Sequence, residues 1–347
     1  MARLIITGGA GFIGSHTCVV LLEAGHDLVV LDDFSNSSPV ALDRVQELAD
    51  RGLQCIEGDV RDSAVLEKLF ADATAADASI EAVIHFAGLK AVGESVADPL
   101  RYWDVNVSGS HSLLSAMDAH GCRTLVFSSS ATLYGYPESV PIAETAPVLP
   151  INPYGHTKAA VERMLNDVSA SAPGTWRIAC LRYFNPVGAH PSGRIGEDPN
   201  GIPSNLFPFV SQVAIGRREK LKVFGGDWPT QDGSGVRDYI HVMDLAEGHV
   251  AALNCLLTED PQLLTLNLGS GVGASVLEVI QAFEKASNRK VPYQVVDRRP
   301  GDAAITVADP ELAATRLGWR TQRTLIDICR DGWAWQSANP NGYQEAP

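Results

Sequence analysis

The sequence has 347 residues, of which 45% are hydrophobic and 20% charged, and its formal net charge is −14. This composition excludes intrinsic disorder for most of the chain, because there is ample apolar surface to bury, and the length suggests two domains. An acidic chain has no general attraction for nucleic acid or a membrane surface. We expect neither as a partner, so local donors must hold any bound phosphate.

No apolar run reaches the roughly 18 residues that span a bilayer, and the N-terminus lacks the apolar core of a signal peptide. The six cysteines are scattered without a Cys-x-x-Cys spacing. We therefore expect no disulfide framework and no metal site. Buried, reduced thiols and a cytoplasmic location are the expectation.

Short β-like runs alternate with helix-length segments through the first half of the sequence. The first run, residues 4–7, is followed by glycines and by apolar residues at helical spacing over 15–24. Further β-like runs occupy residues 28–31, 53–57, 83–86, 125–128 and 178–181. Strands separated by helices predict βαβ units, and hence an α/β fold with a doubly wound, Rossmann-type parallel sheet.

The amino-acid composition changes after residue 185. Residues 186–208 are rich in proline, glycine and asparagine, and long loops of this kind usually carry function. We expect a Rossmann-type domain at 1–185 and a smaller C-terminal α/β substrate domain at 186–347, with 237–255 a candidate to return to the first. A further strand is expected at 264–268, and the polar residues from about Ser337 are expected to fray.

A glycine-rich turn with the spacing G-x-x-G-x-x-G joins the first strand to the first helix. Gly8, Gly11 and Gly14 let the backbone approach a pyrophosphate, which the helix N-terminus also favours. Asp32 follows Gly14 by 18 residues at the end of the second strand, near the roughly 20 typical of a carboxylate that binds an adenosine ribose. Because this carboxylate repels a 2′-phosphate, the pattern favours NAD over NADP. The alternative is a turn that only packs strand against helix.

A second glycine run, residues 269–273, also follows a strand and precedes a helix. Asp297 ends a β-like run further on, so spacing alone makes this segment a rival dinucleotide site. Arg298 and Arg299 flank that acid, and no series of parallel strands surrounds it. A tight turn is therefore the favoured interpretation.

A candidate proton-transfer set lies between the two glycine runs. Tyr154 and Lys158 are four residues apart in a predicted helix, so they share one face. An ammonium beside the phenol, together with a nicotinamide cation, is expected to lower the pKa of the tyrosine and make it a usable base. Residues 128–130 are serines at the end of the fifth strand, where an open α/β sheet binds its ligand. A solvated helix face is the alternative.

These features together resemble the extended short-chain dehydrogenases/reductases and, within them, the UDP-glucose (UDP-galactose) 4-epimerases. The resemblance covers most of the chain. The motifs that carry it lie at 8–16, 85–95, 128–132, 182–191, 235–246 and 298–302.

The resemblance implies a tightly bound NAD and inversion at C4 of UDP-galactose and UDP-glucose through a transient 4-keto sugar. It implies that Tyr154 is the base, Lys158 its partner and Ser130 the bridging hydroxyl. The implied cofactor-binding residues are Gly8, Gly11, Phe12, Ile13, Gly14, Asp32, Asn36, Asp59, Val60, Phe86, Ala87, Lys90, Asn106, Lys158 and Tyr183. The implied substrate-binding residues are Ser130, Thr132, Tyr154, Asn185, Asn205, Leu206, Phe224, Arg237, Arg299, Asp302 and Thr306.

Thr306 matches a position where a large aromatic residue excludes N-acetylated sugars, so UDP-N-acetylglucosamine is a further expected substrate. Relatives form homodimers through two helices per subunit, here 99–120 and 154–169. Their apolar residues, Leu113, Leu114, Met117, Val161, Met164, Leu165 and Val168, fit packing on the sheet equally well.

Three other functions remain open at this point. A nucleotide-sugar 4,6-dehydratase needs an acid pair that Ala131, Thr132 and Leu133 do not provide. A glucuronate epimerase or decarboxylase needs cationic contacts that the sequence cannot locate. A non-catalytic NAD-sensing regulator would tend to lack Tyr154 or Lys158, and both are present.

Overall fold

The computed structural model describes residues 1–199, 201, 203, 205–299 and 301–344. Its strands are β1 (Arg3–Thr7), β2 (Asp27–Asp32), β3 (Gln54–Glu57), β4 (Ala82–His85), β5 (Thr124–Ser130), β6 (Arg177–Tyr183), β7 (Asn185–Val187), β8 (Leu221–Phe224), β9 (Val236–His241), β10 (Leu263–Leu268), β11 (Gly273–Ser275), β12 (Tyr293–Val296) and β13 (Ile305–Thr306). Its α-helices are α1 (Phe12–Glu23), α2 (Pro39–Ala49), α3 (Ser63–Ala75), α4 (Val92–Ala97), α5 (Pro99–Tyr102), α6 (Gly109–Ala119), α7 (Pro153–Ser171), α8 (Leu206–Ala214), α9 (Val242–Thr258), α10 (Val276–Ser287), α11 (Glu311–Leu317) and α12 (Leu325–Ala338).

The central element is a seven-stranded parallel sheet in the order β10-β6-β5-β4-β1-β2-β3. The order reverses direction beside β1, which is typical of the doubly wound fold. The predicted α/β class and parallel sheet are therefore confirmed. The strands predicted for this sheet begin within one residue of the observed strands. Their ends also agree to within one residue, except that β5 and β6 each extend two residues beyond the predicted end.

Two apolar cores cover the two faces of this sheet. Side chains alternate along β1, so Leu4 and Ile6 enter the core that α1, α2 and α9 share, while Ile5 enters the core on the opposite face with α3, α6 and α7. All three side chains are fully buried. Burial of a leucine or isoleucine side chain contributes roughly 1.5–3 kcal/mol, so both layers of helices are held firmly to the sheet.

The remaining elements form a smaller body beyond the C-terminal edge of the sheet. Strand β9 pairs with β7, β11 and β13, and β8 pairs with β12. Their shared core includes Phe207, Val223 and Phe283, which α8, β8 and α10 supply. The chain returns to the main sheet in between, because α9 packs against α1 and β10 pairs with β6. The division into domains at 185/186 stays a prediction.

Two predictions are wrong, one about the C-terminal residues and one about the burial of the cysteines. The described residues after Ser337 do not fray as a whole, because Tyr343 is buried against Trp335, with 4.8 Å between ring centroids. Cys55 is exposed, whereas the other five cysteines are buried. Within the described ranges, no helix has the length and apolar character needed to cross a bilayer.

Candidate active site

A cleft of about 1570 Å³ lies along the C-terminal ends of the parallel strands and beneath the smaller body. It is lined by every residue that the sequence predicts for the cofactor or substrate, with two exceptions, Asn106 and Thr306. A ligand site in this position is expected, since open α/β sheets bind ligands where the strand order reverses.

The glycine turn forms one end of this cleft and fits a pyrophosphate. Gly8 has φ +70°, and a Cβ there would lie 2.6 Å from the backbone nitrogen of Ala87. A Cβ on Gly14 would overlap the carbonyl oxygen of Gly8. Gly11 is the N-cap of α1 and contributes no capping side chain. The first turn of a helix has N–H groups without intrahelical partners, so the turn presents donors to a ligand that can approach closely.

Asp32 is fixed beside this turn by three hydrogen bonds. One carboxylate oxygen accepts from the backbone of Ala10 at 2.9 Å, and the other accepts from Phe34 N at 3.0 Å and Ser37 Oγ at 2.8 Å. Burial raises the pKa of Asp32, and these hydrogen bonds oppose that shift. The acid and the glycine turn therefore form one unit. Asn36, Asp59 and Val60 line the cleft around it.

Tyr154 and Lys158 lie on α7, which begins where Asn152 accepts a hydrogen bond from Gly155 N at 2.9 Å. Pro153 occupies the first turn of the helix. Such a cap and a first-turn proline fix the start of a helix, and hence the place of the tyrosine one residue later. Ser130, at the end of β5, donates to Thr132 Oγ1 at 3.0 Å.

The electrostatics of this pair differ from the expectation. Burial raises the pKa of Tyr154, and the hydroxyl of Ser130 opposes that effect without reversing it. The Lys158 ammonium donates to the carbonyl oxygen of Ser128 at 2.8 Å and lies 4.9 Å from the centre of the Phe127 ring. Burial lowers the pKa of Lys158 to about 8. The predicted lowering of the tyrosine pKa is thus not produced by the chain alone, because desolvation outweighs the hydrogen bond with Ser130.

A buried ion pair supports the site from behind, and the sequence reasoning missed it. Arg182 binds both carboxylate oxygens of Glu162, at 3.0 and 2.6 Å, and Ser129 Oγ donates to the same carboxylate at 2.5 Å. Glu162 follows Lys158 by one helical turn, which is the sequence signal that could have revealed it. The carboxylate raises the pKa of Lys158 against the larger effect of burial.

Cationic side chains gather at the other end of the cleft. Arg299 donates to Asp302 at 3.0 Å, and Arg237 lies 3.8 Å from the same carboxylate oxygen. The guanidinium of Arg299 lies 5.6 Å from the centre of the Phe224 ring. An arginine pair and an aromatic face are groups that recognise a diphosphate and a flat base. Asn185, Asn205 and Leu206 line the same region.

Asn106 and Thr306 lie behind the lining. The Asn106 side chain accepts from Leu89 N at 2.8 Å and donates to Leu89 O at 3.0 Å and Thr157 Oγ1 at 3.0 Å. It therefore holds the loop after β4 rather than facing the cleft. Thr306 lies in β13, where its partner in the strand pairing is Arg237.

The second glycine run is a structural turn. Asp238, which is fully buried, accepts hydrogen bonds from Ser270 N, Ser270 Oγ, Gly271 N and Ala308 N at 2.6–3.1 Å. This turn does not line the cleft, so the favoured interpretation of 269–273 agrees with the structure. Lining residues that the sequence reasoning missed include Phe184, Glu197, Arg217 and Tyr343.

The sequence is similar to that of known proteins over almost its whole length. The family model described as GDP-mannose 4,6 dehydratase matches residues 5–332. A UDP-glucose 4-epimerase of Bacillus subtilis is 55% identical over 343 residues, which cover 99% of each chain. A UDP-glucose 4-epimerase of Homo sapiens is 53% identical over 348 residues and 98% of each chain.

Solved structures give the same result. The UDP-glucose 4-epimerase from Bifidobacterium longum in complex with NAD⁺ and UDP superposes with a TM-score of 0.93 at 48% identity, covering 98% of this chain and 99% of that chain. The UDP-glucose-4-epimerase from Stenotrophomonas maltophila, with bound NAD and formylated UDP-arabinopyranose, gives 0.94 at 48% identity, with the same coverage.

Proposed function

The chain belongs to the UDP-glucose 4-epimerase family of extended short-chain dehydrogenases/reductases, and on that premise we propose that it interconverts UDP-galactose and UDP-glucose by inversion at C4. It is an NAD-dependent isomerase. One observation carries the proposal: Tyr154 and Lys158 on α7 meet Ser130 of β5 in the same cleft that holds the glycine turn and Asp32.

The residues present fit NAD. The turn at Gly8, Gly11 and Gly14 would hold the pyrophosphate, and Asp32 the adenosine ribose. When bound, NAD supplies the group that takes a hydride from C4 of the sugar and returns it to the opposite face. The matching family model is described as a 4,6-dehydratase. Residues 131–133 lack the acid pair that such a dehydration needs, which favours epimerisation instead.

The protein side chains move the proton. We assign Tyr154 as the base that accepts the proton of the sugar 4′-hydroxyl and gives it back when the transient 4-keto sugar is reduced. Ser130 bridges the sugar oxygen and the phenol. Lys158 keeps a positive charge beside them, which favours the tyrosinate. Arg237 and Arg299 hold the diphosphate, so the sugar can turn while the nucleotide stays anchored.

The test is to incubate the purified protein with UDP-galactose, without added NAD, and to follow the formation of UDP-glucose. We expect equilibration by the wild type and its loss in Tyr154→Phe. Tyr136→Phe is the matched control, because Tyr136 is 58% exposed and lies outside the cleft lining. No conversion, even with NAD supplied, would refute the proposal and favour a glucuronate-type substrate or a regulator.

We further propose that N-acetylated UDP-sugars are accepted. Thr306 is a small side chain, and its strand places it beside Arg237, which lines the cleft. Turnover of UDP-glucose without any turnover of UDP-N-acetylglucosamine would contradict this.

A cytoplasmic homodimer is also proposed, on different side chains from those that the sequence suggested. Leu113, Met117 and Leu165 are buried against the sheet and are not available to a partner. Leu100 and Trp103, by contrast, are 80% and 41% exposed, and they precede α6 on one continuous helical stretch. An exposed apolar patch of this kind marks an interaction surface. Leu100→Asp is expected to give monomers in sedimentation, and an unchanged sedimentation coefficient would refute this surface.

A further inference from the structure

The carboxylate of Glu197 joins the two walls of the cleft. Its Oε1 atom accepts a hydrogen bond from Lys90 Nζ at 2.9 Å and another from Asn205 Nδ2 at 3.0 Å. Lys90 lies in the loop after β4, on the cofactor side, and Asn205 is the N-cap of α8, on the nucleotide-sugar side. One oxygen atom therefore connects a proposed NAD contact to a proposed substrate contact.

The segment that carries this carboxylate is fixed from behind. The backbone oxygen of Glu197 accepts from Trp335 Nε1 at 3.3 Å, and Gly196 N donates to the hydroxyl of Tyr343 at 3.2 Å. Asp198 accepts from Tyr343 N at 2.8 Å. The C-terminal segment thus anchors both sides of Glu197, and the carboxylate extends from a rigid support.

The bridge that Glu197 forms between Lys90 and Asn205 is also shielded from water. The Glu197 side chain is 9% exposed, whereas that of Lys90 is 42% exposed. Water screens a charged hydrogen bond less when one partner is buried, so this bridge is stronger than an ion pair on an open surface. Losing either donor would remove one of the two hydrogen bonds that the described residues give this largely buried oxygen, which favours the arrangement in which both walls remain close.

We propose that Glu197 is a positioning residue that couples cofactor retention to UDP-sugar binding by holding the cleft closed. A UDP-sugar that packs against Asn205 stabilises the closed bridge, and the closed bridge holds the Lys90 loop over the NAD site. Because linkage is reciprocal, bound NAD also strengthens UDP binding. This inference rests on the proposed function, since it assigns Lys90 and Asn205 to NAD and UDP-sugar.

The experiment measures how fast the holoenzyme releases NAD, with and without saturating UDP, as dinucleotide recovered in the filtrate. NAD leaves from the open cleft, so its release rate reports the population of the open form. In the wild type we expect UDP to slow release by about fivefold or more, the lower end of typical coupling between linked sites. In Glu197→Gln this ratio should fall to near one, even if UDP still binds.

Two further variants separate coupling from general damage. Lys90→Met should lose the UDP effect to the same extent, and the double variant should lose no more, because both changes break one bridge. Glu138→Gln, at an exposed glutamate outside the cleft lining, should behave as wild type. An equal UDP effect in wild type and Glu197→Gln would overturn the proposal. The failure of the proposed function would show differently, as a wild type without epimerase activity.

Discussion

Replacing Lys158 with methionine is expected to change how the stability of the protein depends on pH. The Lys158 side chain is almost completely buried, and burial lowers its pKa from 10.5 to about 8. The folded protein therefore holds this proton less tightly than the unfolded chain does. Between pH 8 and 10.5 the unfolded state binds more protons, so the free energy of unfolding rises with pH through this window.

The magnitude follows from the two pKa values. One pKa unit corresponds to 1.36 kcal/mol, so the difference between 10.5 and about 8 amounts to about 3 kcal/mol. The buried ammonium lowers the unfolding free energy of the wild type by nearly this full amount at pH 7, and by much less at pH 10. Methionine cannot ionise and carries none. The difference in unfolding free energy between wild type and Lys158→Met should therefore shift by about 2.5 kcal/mol, in favour of the wild type, from pH 7 to pH 10.

Urea denaturation at pH 7, 8, 9 and 10 measures this difference. NAD is removed from both proteins, because the charged groups of bound NAD would alter the titration of Lys158. Tyr154 is present in both proteins, and burial raises its pKa, which moves its titration away from this range. Lys68→Met, at an exposed lysine of α3, is the control for the loss of one ammonium. A wild-type to Lys158→Met difference that does not change with pH would refute the reasoning, because it would mean that water reaches the ammonium.

Four further predictions concern the cleft. Tyr154→Phe should lower kcat by about 10²–10⁴-fold, the usual contribution of a general base, while the NAD that the purified protein carries, measured after denaturation, stays the same. Gly14→Ala should give protein with little or no bound NAD, because the new Cβ overlaps the carbonyl of Gly8; full NAD content would contradict the proposed cradle. Arg237→Met should weaken UDP binding by about 1.5–3 kcal/mol in calorimetry, as expected for a charged hydrogen bond, and an unchanged affinity would remove Arg237 from the diphosphate site. Thr306→Tyr should abolish turnover of UDP-N-acetylglucosamine but not of UDP-glucose, and equal effects on both rates would argue against a role in specificity.

The main sheet and its glycine turn could be predicted because local signals and the fold agree. Leu4, Ile5 and Ile6 are buried on both faces of a parallel strand, so an unbroken apolar run is the correct signal for β1. The short strands of the smaller body gave weaker signals. β13 has two residues, and β8 leaves Lys222 and Phe224 exposed, so their pairing is decided by distant segments rather than by local pattern.

Which residues meet in the cleft could be predicted from the sequence, but the pKa shifts of Tyr154 and Lys158 could not. Spacing alone brings Tyr154 and Lys158 to one helix face. The depth at which they lie depends on Phe127, Ser128 and the strands around them, and that depth sets the direction of both pKa shifts. Glu197 had no local signal, because its partners Lys90 and Asn205 approach it only through the tertiary fold.

Because the chain returns to the main sheet only with β10, this sheet can be completed only late in translation. β6 ends at Tyr183, but its neighbour β10 begins only at Leu263. At 5–20 residues per second, the ribosome needs roughly 4–16 s to synthesise the segment between them. During that time the nascent chain exposes the hydrogen-bonding edge of β6 and the face of α1 that α9 later covers. An unpaired strand edge of this kind is a template for aggregation, so production of the protein should depend on how quickly residues 242–268 follow.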